Sequence, residues 1–596
     1  MRKFLLSLTI FVFAVSLSFA DNLQKIYPIN SEVYEAITHL YIVSGYSLPS
    51  SAGPWSEEEL LKMVNKIDKT KLKGSGIDLY EWVIAQLNKT DKTFQFGLDV
   101  ALEGYYHSNT EDFLKERDWI RGYDERKPIF SVNLETWPSK HFYGYFPLSF
   151  KATKYTDFDT TTGESSIFFG PQAFTTNLFF LHNPDGILAG IQELDFGFPY
   201  RAFGAVGGDG WSVQVGRDKL NWGPGVTGNF MLDGHLKYHN VGRLTTYGKN
   251  FKYTLVTSFF PHPAQYYPIM NGADFDYDYS QSQQMSGLNM FLGHRLEWRM
   301  FANKVGLAVS ESIMYQSLDN TSDLRILNPA GFFHNYYIRS NSNSLITLEI
   351  DYTPISGLNL YGQLAVDEFA LPGEPVPGKD SSALPSAFGY MLGAKGAYPL
   401  KKGILYGSLE GALTDPFLYL RYGDSGSQSQ NPGDYGINYI VAIREYYSGG
   451  HIVYDEDFIG YKYGPDAIVF NLNGGYKEFD KWSVEGNLFF MLHGTHDKGT
   501  LWSEVNNLDT PSGSTIPYES TPTDTHHTGN NYDLHPDYRN SVSQTFVFGV
   551  KGNYTIIKNL NAYAQADLVH IINPGNIKTN PPITDVQLTV GVSYSL

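Results

Sequence analysis

The chain of 596 residues contains no cysteine. This absence excludes disulfide bonds, thiolate metal sites and attachment of a lipid through a cysteine. Beyond the N-terminal leader, no stretch of about 18 apolar residues occurs, which excludes transmembrane helices. Basic residues are the minority, with 44 Lys and Arg against 62 Asp and Glu. The net charge of -18 argues against nucleic-acid binding and against attraction of polyanions by general electrostatics.

The first residues have the pattern of a secretion signal. Arg2 and Lys3 precede an apolar core, and Ser18-Phe19-Ala20 is a small-x-small cleavage site. We therefore predict that residues 1–20 are a signal peptide. A secreted chain without transmembrane helices is either a transmembrane β-barrel or a soluble periplasmic β protein, and the strand patterns below favour the barrel.

The last residues alternate without a break between apolar side chains and small or polar ones. Successive side chains of a strand face opposite sides, so this strand is apolar on one face only. An apolar strand with an aromatic residue near its end is typical of the C-terminus of a transmembrane barrel. The apolar positions are Val586, Leu588, Val590, Val592, Tyr594 and Leu596. Aromatic residues make up 15% of the chain and suit interface girdles or sugar-stacking platforms.

Residues 21–90 have helical patterns. One helix is predicted over Glu32–Val43, and a second opens at the capping box formed by Ser56 and Glu59. A third follows Gly76, with Asp78 as its cap. Three short helices predict a small periplasmic domain, or a plug of the barrel, over residues 21–90.

After residue 92 the period of the pattern changes to two. Charges recur on the less apolar face, and a lipid-facing charge costs about 2–4 kcal/mol at the bilayer midplane, so this face is predicted to line the lumen. Short connections at 302–304 and 556–559 alternate with long ones at about 261–286, 317–342, 369–386, 416–436, 446–466 and 494–540. Tight periplasmic turns and long outer loops are typical of barrels, and the segment 91–596 has room for roughly 18 strands.

Enzymatic and metal-binding patterns are weak. The sequence has no Gly-x-Ser-x-Gly, no His-Glu-x-x-His and no phosphate-binding loop. Asp274, Asp276 and Asp278 have the spacing of calcium ligands, but Tyr279 occupies the place of the turn glycine. We interpret the loop histidines 526, 527 and 535 and the acidic residues 455–457 as solvated. The prediction is a protein that is not an enzyme and has neither cofactor nor metal.

Two segments carry more specific signals. Arg295, Glu297 and Arg299 are predicted to line the lumen, where they either bind polar solutes or neutralise one another and stabilise the wall. The second segment is Val215–Gly225, in which glycines around Trp222 at a strand end indicate a tight turn or bulge. The residues of the first segment that are predicted to face lipid are Met290, Leu292, Leu296, Trp298 and Met300.

A predicted strand is followed by Gly216-Arg217-Asp218-x-x-x-Trp222-Gly223-Pro224-Gly225. This pattern resembles the central signature of the Wzi-type capsule-assembly family of outer-membrane proteins. Later segments at 294–298, 327–329 and 360–369 are similar to family segments in the same order, and residues 27–45 with 54–55 are similar to its helical lead-in. The resemblance implies a closed barrel with a helical bundle at its periplasmic end. It also implies a lectin-like, non-enzymatic role in holding surface polysaccharide.

We therefore expect an all-β membrane protein, a large antiparallel transmembrane β-barrel over residues 91–596 with a small N-terminal α-helical domain. The expected location is the bacterial outer membrane, with the helical domain in the periplasm. The expected function is binding of capsular or related surface polysaccharide, and the alternatives are a diffusion channel for polar solutes and an adhesin. The expected partners are surface polysaccharide, outer-membrane lipid and the machinery that inserts barrels, and not nucleic acid. The candidate binding residues are Arg217, Asp218, Trp222, Arg295, Glu297, Arg299, Asp367 and Glu368.

Overall fold

A computed structural model describes residues 23–87, 93–113, 120–121, 125–152, 156–158, 165–167, 173–177, 194–195, 199–260, 288–317, 333, 342–369, 387–420, 437–448, 451–496 and 541–596. The predicted signal peptide, the three aspartates at 274–278 and the loop histidines at 526, 527 and 535 lie outside these residues. The predictions made for them stay predictions.

The chain forms a closed antiparallel β-barrel of 18 strands. Each strand pairs with its neighbours in sequence order, and the last strand pairs with the first, for example at Leu588 and Tyr106. The strands are β1 (Phe94–His107), β2 (Phe130–Ser139), β3 (Phe142–Ala152), β4 (Ala202–Gly208), β5 (Trp211–Asp218), β6 (His239–Tyr247), β7 (Phe251–Phe260), β8 (Leu288–Met300), β9 (Val305–Ser317), β10 (Ser342–Ile355), β11 (Leu358–Glu368), β12 (Ala387–Pro399), β13 (Ile404–Thr414), β14 (Ala467–Glu478), β15 (Trp482–His493), β16 (Ser543–Ile557), β17 (Leu560–Ile572) and β18 (Ile583–Ser595).

Alternation along the strands sorts side chains between the outer surface and the interior. In β18, Leu588 is 39% exposed on the outer face, whereas Gln587 on the inner face is 5% exposed. The same alternation of exposure runs through β10. The two-residue period therefore predicted correctly that the apolar face points outward and the polar face inward.

Short turns join the strands at one end of the barrel and long connections join them at the other. The turn between β8 and β9 contains Phe301, Ala302 and Asn303, all with positive φ, and the turn after β16 contains only residues 558–559. The connections predicted at 261–286, 317–342, 369–386 and 494–540 fall between consecutive barrel strands, whereas those predicted at 416–436 and 446–466 belong to one connection between β13 and β14. Residues 446–466 are not a simple loop, because the strands Ile440–Ser448 and His451–Phe458 pair into a hairpin.

Three helices precede the barrel: α1 (Glu32–Val43), α2 (Glu57–Val64) and α3 (Ser75–Leu87). Ser56 caps α2 as predicted, since its hydroxyl accepts a hydrogen bond from the Glu59 N–H. Asp78 lies in the first turn of α3 and does not precede it, so the predicted cap was wrong. None of the described helices is long and apolar enough to cross a membrane.

The helices pack at the short-turn end of the barrel. Ser47 N–H donates to the carbonyl of Asn303 at 2.7 Å, and Gly357 N–H donates to the carbonyl of Ile42 at 2.8 Å. Trp82 Nε1 donates to Asp480 in the turn after β14 at 2.6 Å. A shared apolar core joins the helices to two strands; its fully buried members include Leu40, Leu60, Val64, Val83, Leu87 and Ile404 of β13.

The predicted lipid-facing row of β8 needs a correction. Met290 and Leu292 lie on the outward face but are 2% and 0% exposed, because they pack with Ile313, Tyr315 and Phe333. Leu296, Trp298 and Met300, nearer the short-turn end, are partly exposed. Alternation identified the face of the first two residues, but it could not show that another part of the chain covers that face.

Further short strands are not members of the 18-stranded ring. Ile26–Tyr27 pairs with Trp55–Ser56, and Ala52–Gly53 pairs with Asn221–Trp222. The second pair lies in the interior and connects the segment before α2 to the connection between β5 and β6. The remaining short strands are Thr156–Phe158 with Ser165–Ile167, Phe174–Thr176 beside β1, and Leu194–Asp195 beside β3.

Candidate functional site

Residues 219–238, between β5 and β6, fold into the lumen; we call them the inner segment. Trp222 and Phe230 are completely buried in the apolar cluster that fills the interior. The glycines of the signature permit this path. A Cβ on Gly223 would lie 2.1 Å from Asn229 Oδ1, and Gly223 has a φ of 132°, which disfavours any other residue.

The hairpin Ile440–Phe458, which we call the inner hairpin, packs against the inner segment together with its flanking residues. The hydroxyl of Tyr419 donates to the carbonyl of Phe230 at 2.7 Å and accepts from the N–H of Tyr461 at 2.8 Å. The carboxylate of Glu410 on β13 accepts from the N–H of Thr227 at 2.7 Å. Side chains and backbone thus join the inner segment to the barrel wall, and the lumen is filled along these strands.

Arg295, Glu297 and Arg299 come together, as predicted, on the inner face of β8. Arg295 is 2% exposed, pairs with both carboxylate oxygens of Glu349 on β10, and donates through Nε to Glu297 at 2.8 Å. Arg299 Nε donates to the carbonyl of Leu48 at 2.8 Å.

The same network binds the segment that precedes α2. Arg295 Nη2 donates to the hydroxyl of Ser51 at 3.1 Å, and the hydroxyl of Ser50 donates to Glu297 at 3.2 Å. Lys252 Nζ donates to the carbonyl of Ala52 at 2.7 Å and to Glu59 at 2.6 Å. These contacts give the three charged residues of β8 a structural role: they anchor residues 48–59 to the wall.

The signature residues point in different directions. Asp218 faces inward and accepts from Arg201 Nε at 3.0 Å and from Gln214 Nε2 at 2.7 Å. Arg217 lies on the opposite face of β5, where its guanidinium stacks over Tyr238 and donates to Asn240 at 2.9 Å. Arg217, Asp218 and Trp222 therefore do not converge on one site.

Asp367 and Glu368 end β11. The carboxylate of Asp367 accepts the N–H of Tyr419 at 2.6 Å and so holds the connection after β13. Glu368 pairs with Ala387 after a register shift in the ladder. A ligand-binding role for the eight candidate residues stays a prediction. In the structure, they make hydrogen bonds, ion pairs or strand pairings within the chain.

A cavity of about 1200 Å³ lies elsewhere, between the inner faces of β14–β17 and the inner segment and hairpin. None of the eight candidate residues lines it. Its polar lining includes Asn471, Asn473, Glu485, Asn487, Lys551, Gln565 and Asp567, and its aromatic residues are Phe113, Tyr463 and Phe489. The sequence did contain a signal for this site, because inward-facing Asn and Gln residues recur on β14, β15 and β17. The three charged residues of β8 were nevertheless chosen as candidates, because three consecutive inward charges are a more specific pattern than scattered amides.

The opposite wall of the cavity carries a histidine between two carboxylates. His235 Nδ1 lies 2.7 Å from Asp233, and its Nε2 lies 3.8 Å from Asp457 of the inner hairpin. Burial lowers the pKa of His235, but the hydrogen bond to Asp233 and the charge of Asp457 outweigh it and raise the pKa above its ordinary value. These two carboxylates thus favour the protonated form more than in a free histidine, and the imidazole links the inner segment to the inner hairpin.

The lining combines aromatic rings with amide, carboxylate and ammonium groups. Tyr463 and Phe489 lie with ring centroids 5.2 Å apart. Such sites hold polar ligands by stacking against their apolar faces and by hydrogen bonds to their hydroxyls. Within the described residues, no cluster of three or more His, Asp or Glu side chains is arranged to hold a metal ion.

The fold is that of an outer-membrane β-barrel. No protein-family model matches the sequence, and no curated protein matches it. Among solved structures, the chain is similar to Wzi of Escherichia coli, an outer-membrane protein involved in group 1 capsule assembly and a carbohydrate-binding β-barrel. The TM-score is 0.54 at 12% identity, and the match covers 95% of this chain and 98% of that chain. This likeness shows a Wzi-like fold.

Two further solved structures match with lower scores. The outer-membrane channel DcaP of Acinetobacter baumannii has a TM-score of 0.31 at 10% identity, over 84% of this chain and 97% of that chain. OccK2 of Pseudomonas aeruginosa, in complex with glucuronate, has a TM-score of 0.34 at 8% identity, over 84% and 96% of the two chains.

Proposed function

We propose that this chain is an outer-membrane barrel that binds surface polysaccharide without making or breaking a bond, in a lectin-like role in capsule assembly. The observation that carries the proposal is the cavity of about 1200 Å³, which is lined by amides, carboxylates and aromatic rings. The carbohydrate-binding barrel with the same fold supports it.

The cavity has the chemistry that a sugar chain requires. Asn471, Asn487 and Gln565 present amides that donate to and accept from hydroxyls. Tyr463 and Phe489 present rings on which the apolar face of a sugar can stack. The volume falls slightly above the usual range of about 300–1,000 Å³ for small-ligand sites, so it has room for several sugar units.

The proposed orientation follows barrel asymmetry. Long connections of outer-membrane barrels are extracellular and short turns are periplasmic. The cavity reaches Pro574 and Gly575 in the connection after β17, at the long-connection end, so it is placed toward the cell exterior. The helices then lie in the periplasm, the outer surface contacts lipid, and the barrel-insertion machinery is the partner for assembly.

The test is calorimetric titration of the refolded full chain with surface polysaccharide purified from the same organism. Saturable binding is expected. Asn487→Leu and Gln565→Leu are each expected to weaken it about tenfold, which corresponds to about 1.4 kcal/mol for a lost hydrogen-bonding group. Asn553→Leu is the matched control, because Asn553 is an inward amide on β16 that does not line the cavity.

Circular dichroism and heat-dependent migration on a gel confirm that each variant is folded. Binding that is equal in all four proteins would place the polysaccharide outside the cavity, for example at the outer loops. A folded wild-type chain that binds no polysaccharide overturns the proposal.

A further inference from the structure

The inner faces of β15–β18 differ from those of β6–β13 in what lies opposite them. We call β6–β13 the packed side and β15–β18 the open side. On the packed side, the side chain of Lys252 is 5% exposed. On the open side, the side chain of Lys551 is 53% exposed although it points inward. Asn553, the next inward residue on β16, is exposed as well.

Exposure on the open side continues below the cavity. The cavity ends at the level of Glu485 and Lys551. Beyond it toward the short turns, Ser483, Asn553 and Asn561 are all inward, polar and at least partly accessible to water. Within the described residues, the inner surface of the open side is therefore accessible along β15 and along the lower parts of β16 and β17. Higher on β16 and β17 the cavity wall is apolar at Val547 and Val569, and on β18 Gln587 is only 5% exposed.

The helical domain is attached on the other side. Gly357, Asn303 and Asp480, which lie in turns between β8 and β15, hydrogen-bond residues of the helical domain. Lys477 of β14 pairs with Glu32 and Glu35 of α1 at 2.9 and 2.8 Å. These contacts hold the helices against the packed side and against β14.

We propose that the open side is a passage for small ions and polar solutes, and that Lys551 and Glu485 set its charge selectivity. This activity is additional to polysaccharide binding and does not depend on it. Lys551 Nζ lies 2.8 Å from Glu485, whose carboxylate also accepts the hydroxyl of Tyr406 at 2.8 Å. Tyr406 thus holds the carboxylate, while the ammonium group projects toward water. Charged side chains at such positions select permeating ions by sign.

The first test measures the current through the refolded full chain in a planar bilayer under a salt gradient. A steady ohmic conductance is expected from the wild type. Lys551→Glu is expected to shift the reversal potential toward cation selectivity. Lys558→Glu makes the same change of charge in the exposed turn after the same strand and is expected to leave the reversal potential unchanged. Protein that is inserted and folded but carries no current overturns the proposal, and so do equal shifts in both variants.

The second test uses the absence of cysteine from the chain. In Asn553→Cys the only thiol lies in the proposed passage. A charged methanethiosulfonate reagent is expected to label it and to lower the conductance. Ser310→Cys places the thiol on the packed side, where Ser310 is 1% exposed, and it is expected to stay unlabelled. If Asn553→Cys is not labelled, or if labelling leaves the current unchanged, the passage does not run past β16.

Polysaccharide binding and conduction fail independently in these experiments. A barrel that binds polysaccharide but carries no current keeps the proposed function and loses the passage. A conducting barrel that binds no polysaccharide loses the proposed function and keeps the passage.

Discussion

The packed side and the open side of the barrel both carry polar side chains that point inward, but these side chains differ in their exposure to water. Arg295 and Glu410 on the packed side are 2% and 1% exposed, and each has several charged or hydrogen-bonding partners. Lys551 on the open side has one ion-pair partner and is half exposed to water. The comparison shows that inward orientation alone decides neither burial nor function. The segments that fold into the lumen decide both.

This difference has an energetic basis. A buried charge needs a partner and hydrogen bonds to replace its hydration. On the packed side, residues 48–59 and the inner segment provide these groups through Ser50, Ser51 and Thr227. At Lys551 and Asn553 on the open side, water provides them, and these side chains remain available to solutes.

The largest expected effect follows from removing a buried charge on the packed side. Arg295→Met leaves Glu349 buried without its guanidinium partner and leaves Glu297 with Arg299 alone, and breaking such a buried pair typically costs about 3–5 kcal/mol. Urea unfolding of the protein refolded into lipid vesicles measures the loss. Limited proteolysis should also show cleavage near Ser51, because its hydrogen bond to Arg295 is lost. A loss below about 1 kcal/mol would mean that the network does not anchor this segment.

Removing a single hydroxyl inside the lumen is expected to cause a smaller loss of unfolding free energy. Tyr419→Phe leaves the carbonyl of Phe230 and the N–H of Tyr461 buried without this partner, at a cost of about 1–3 kcal/mol. Tyr390→Phe is the control, because Tyr390 is 45% exposed on the outer face of β12. Equal unfolding free energies for the two variants would contradict this account of the lumen.

The contact of His235 with Asp233 and Asp457, at the boundary of the cavity, should depend on pH. The pKa of His235 is raised above its ordinary value of 6.5 by Asp233 and Asp457 against burial and the charge of Lys462. Because the pKa is higher in the folded state, protonation of His235 stabilises that state. This contribution is fully present below pH 6.5 and is lost as the pH rises through the folded-state pKa. The protection of residues 457–463 against hydrogen exchange, relative to the intrinsic exchange rate at each pH, should therefore fall over that range. His235→Gln should remove the dependence, and a dependence that survives this substitution assigns it to another group.

The smallest expected effect on stability is on the open side. Lys551→Met removes an ion pair that is half exposed to water, and such pairs contribute about 0–1 kcal/mol. Measured by the same urea unfolding, this variant is the counterpart of Arg295→Met. If the two variants lose equal stability, the distinction between the two sides is wrong.

Much of the fold could be predicted from sequence because its determinants are local. The two-residue period fixes which face of a strand is apolar, and turn length separates the two ends of the barrel. The first helix was predicted with the bounds that the structure shows, Glu32–Val43. The Ser56 cap was also correct, because a capping box depends on residues three apart.

The candidate site could not be predicted in the same way. The alternation placed Arg295 on the inner face correctly, but its burial depends on Ser51, which is 244 positions away in the sequence. Likewise, Trp222 was recognised as part of a turn, but its burial results from an apolar cluster that includes residues as distant in sequence as Ala52 and Tyr461. The cavity is defined by the region that the inner segments leave unfilled, and periodicity carries no information about this.

Closure of the ring by β18 and β1 has a consequence for the order of assembly. This seam lies at the edge of the open side, away from the strands that hold the inner segment and residues 48–59. An unclosed, curved sheet of the middle strands can therefore wrap around its contents before the two edges meet. The contacts at the seam itself, such as those of Glu103 on β1 with Arg121 and Asn177, can form when the edges are joined, so insertion into the membrane need not thread a folded domain through a finished ring.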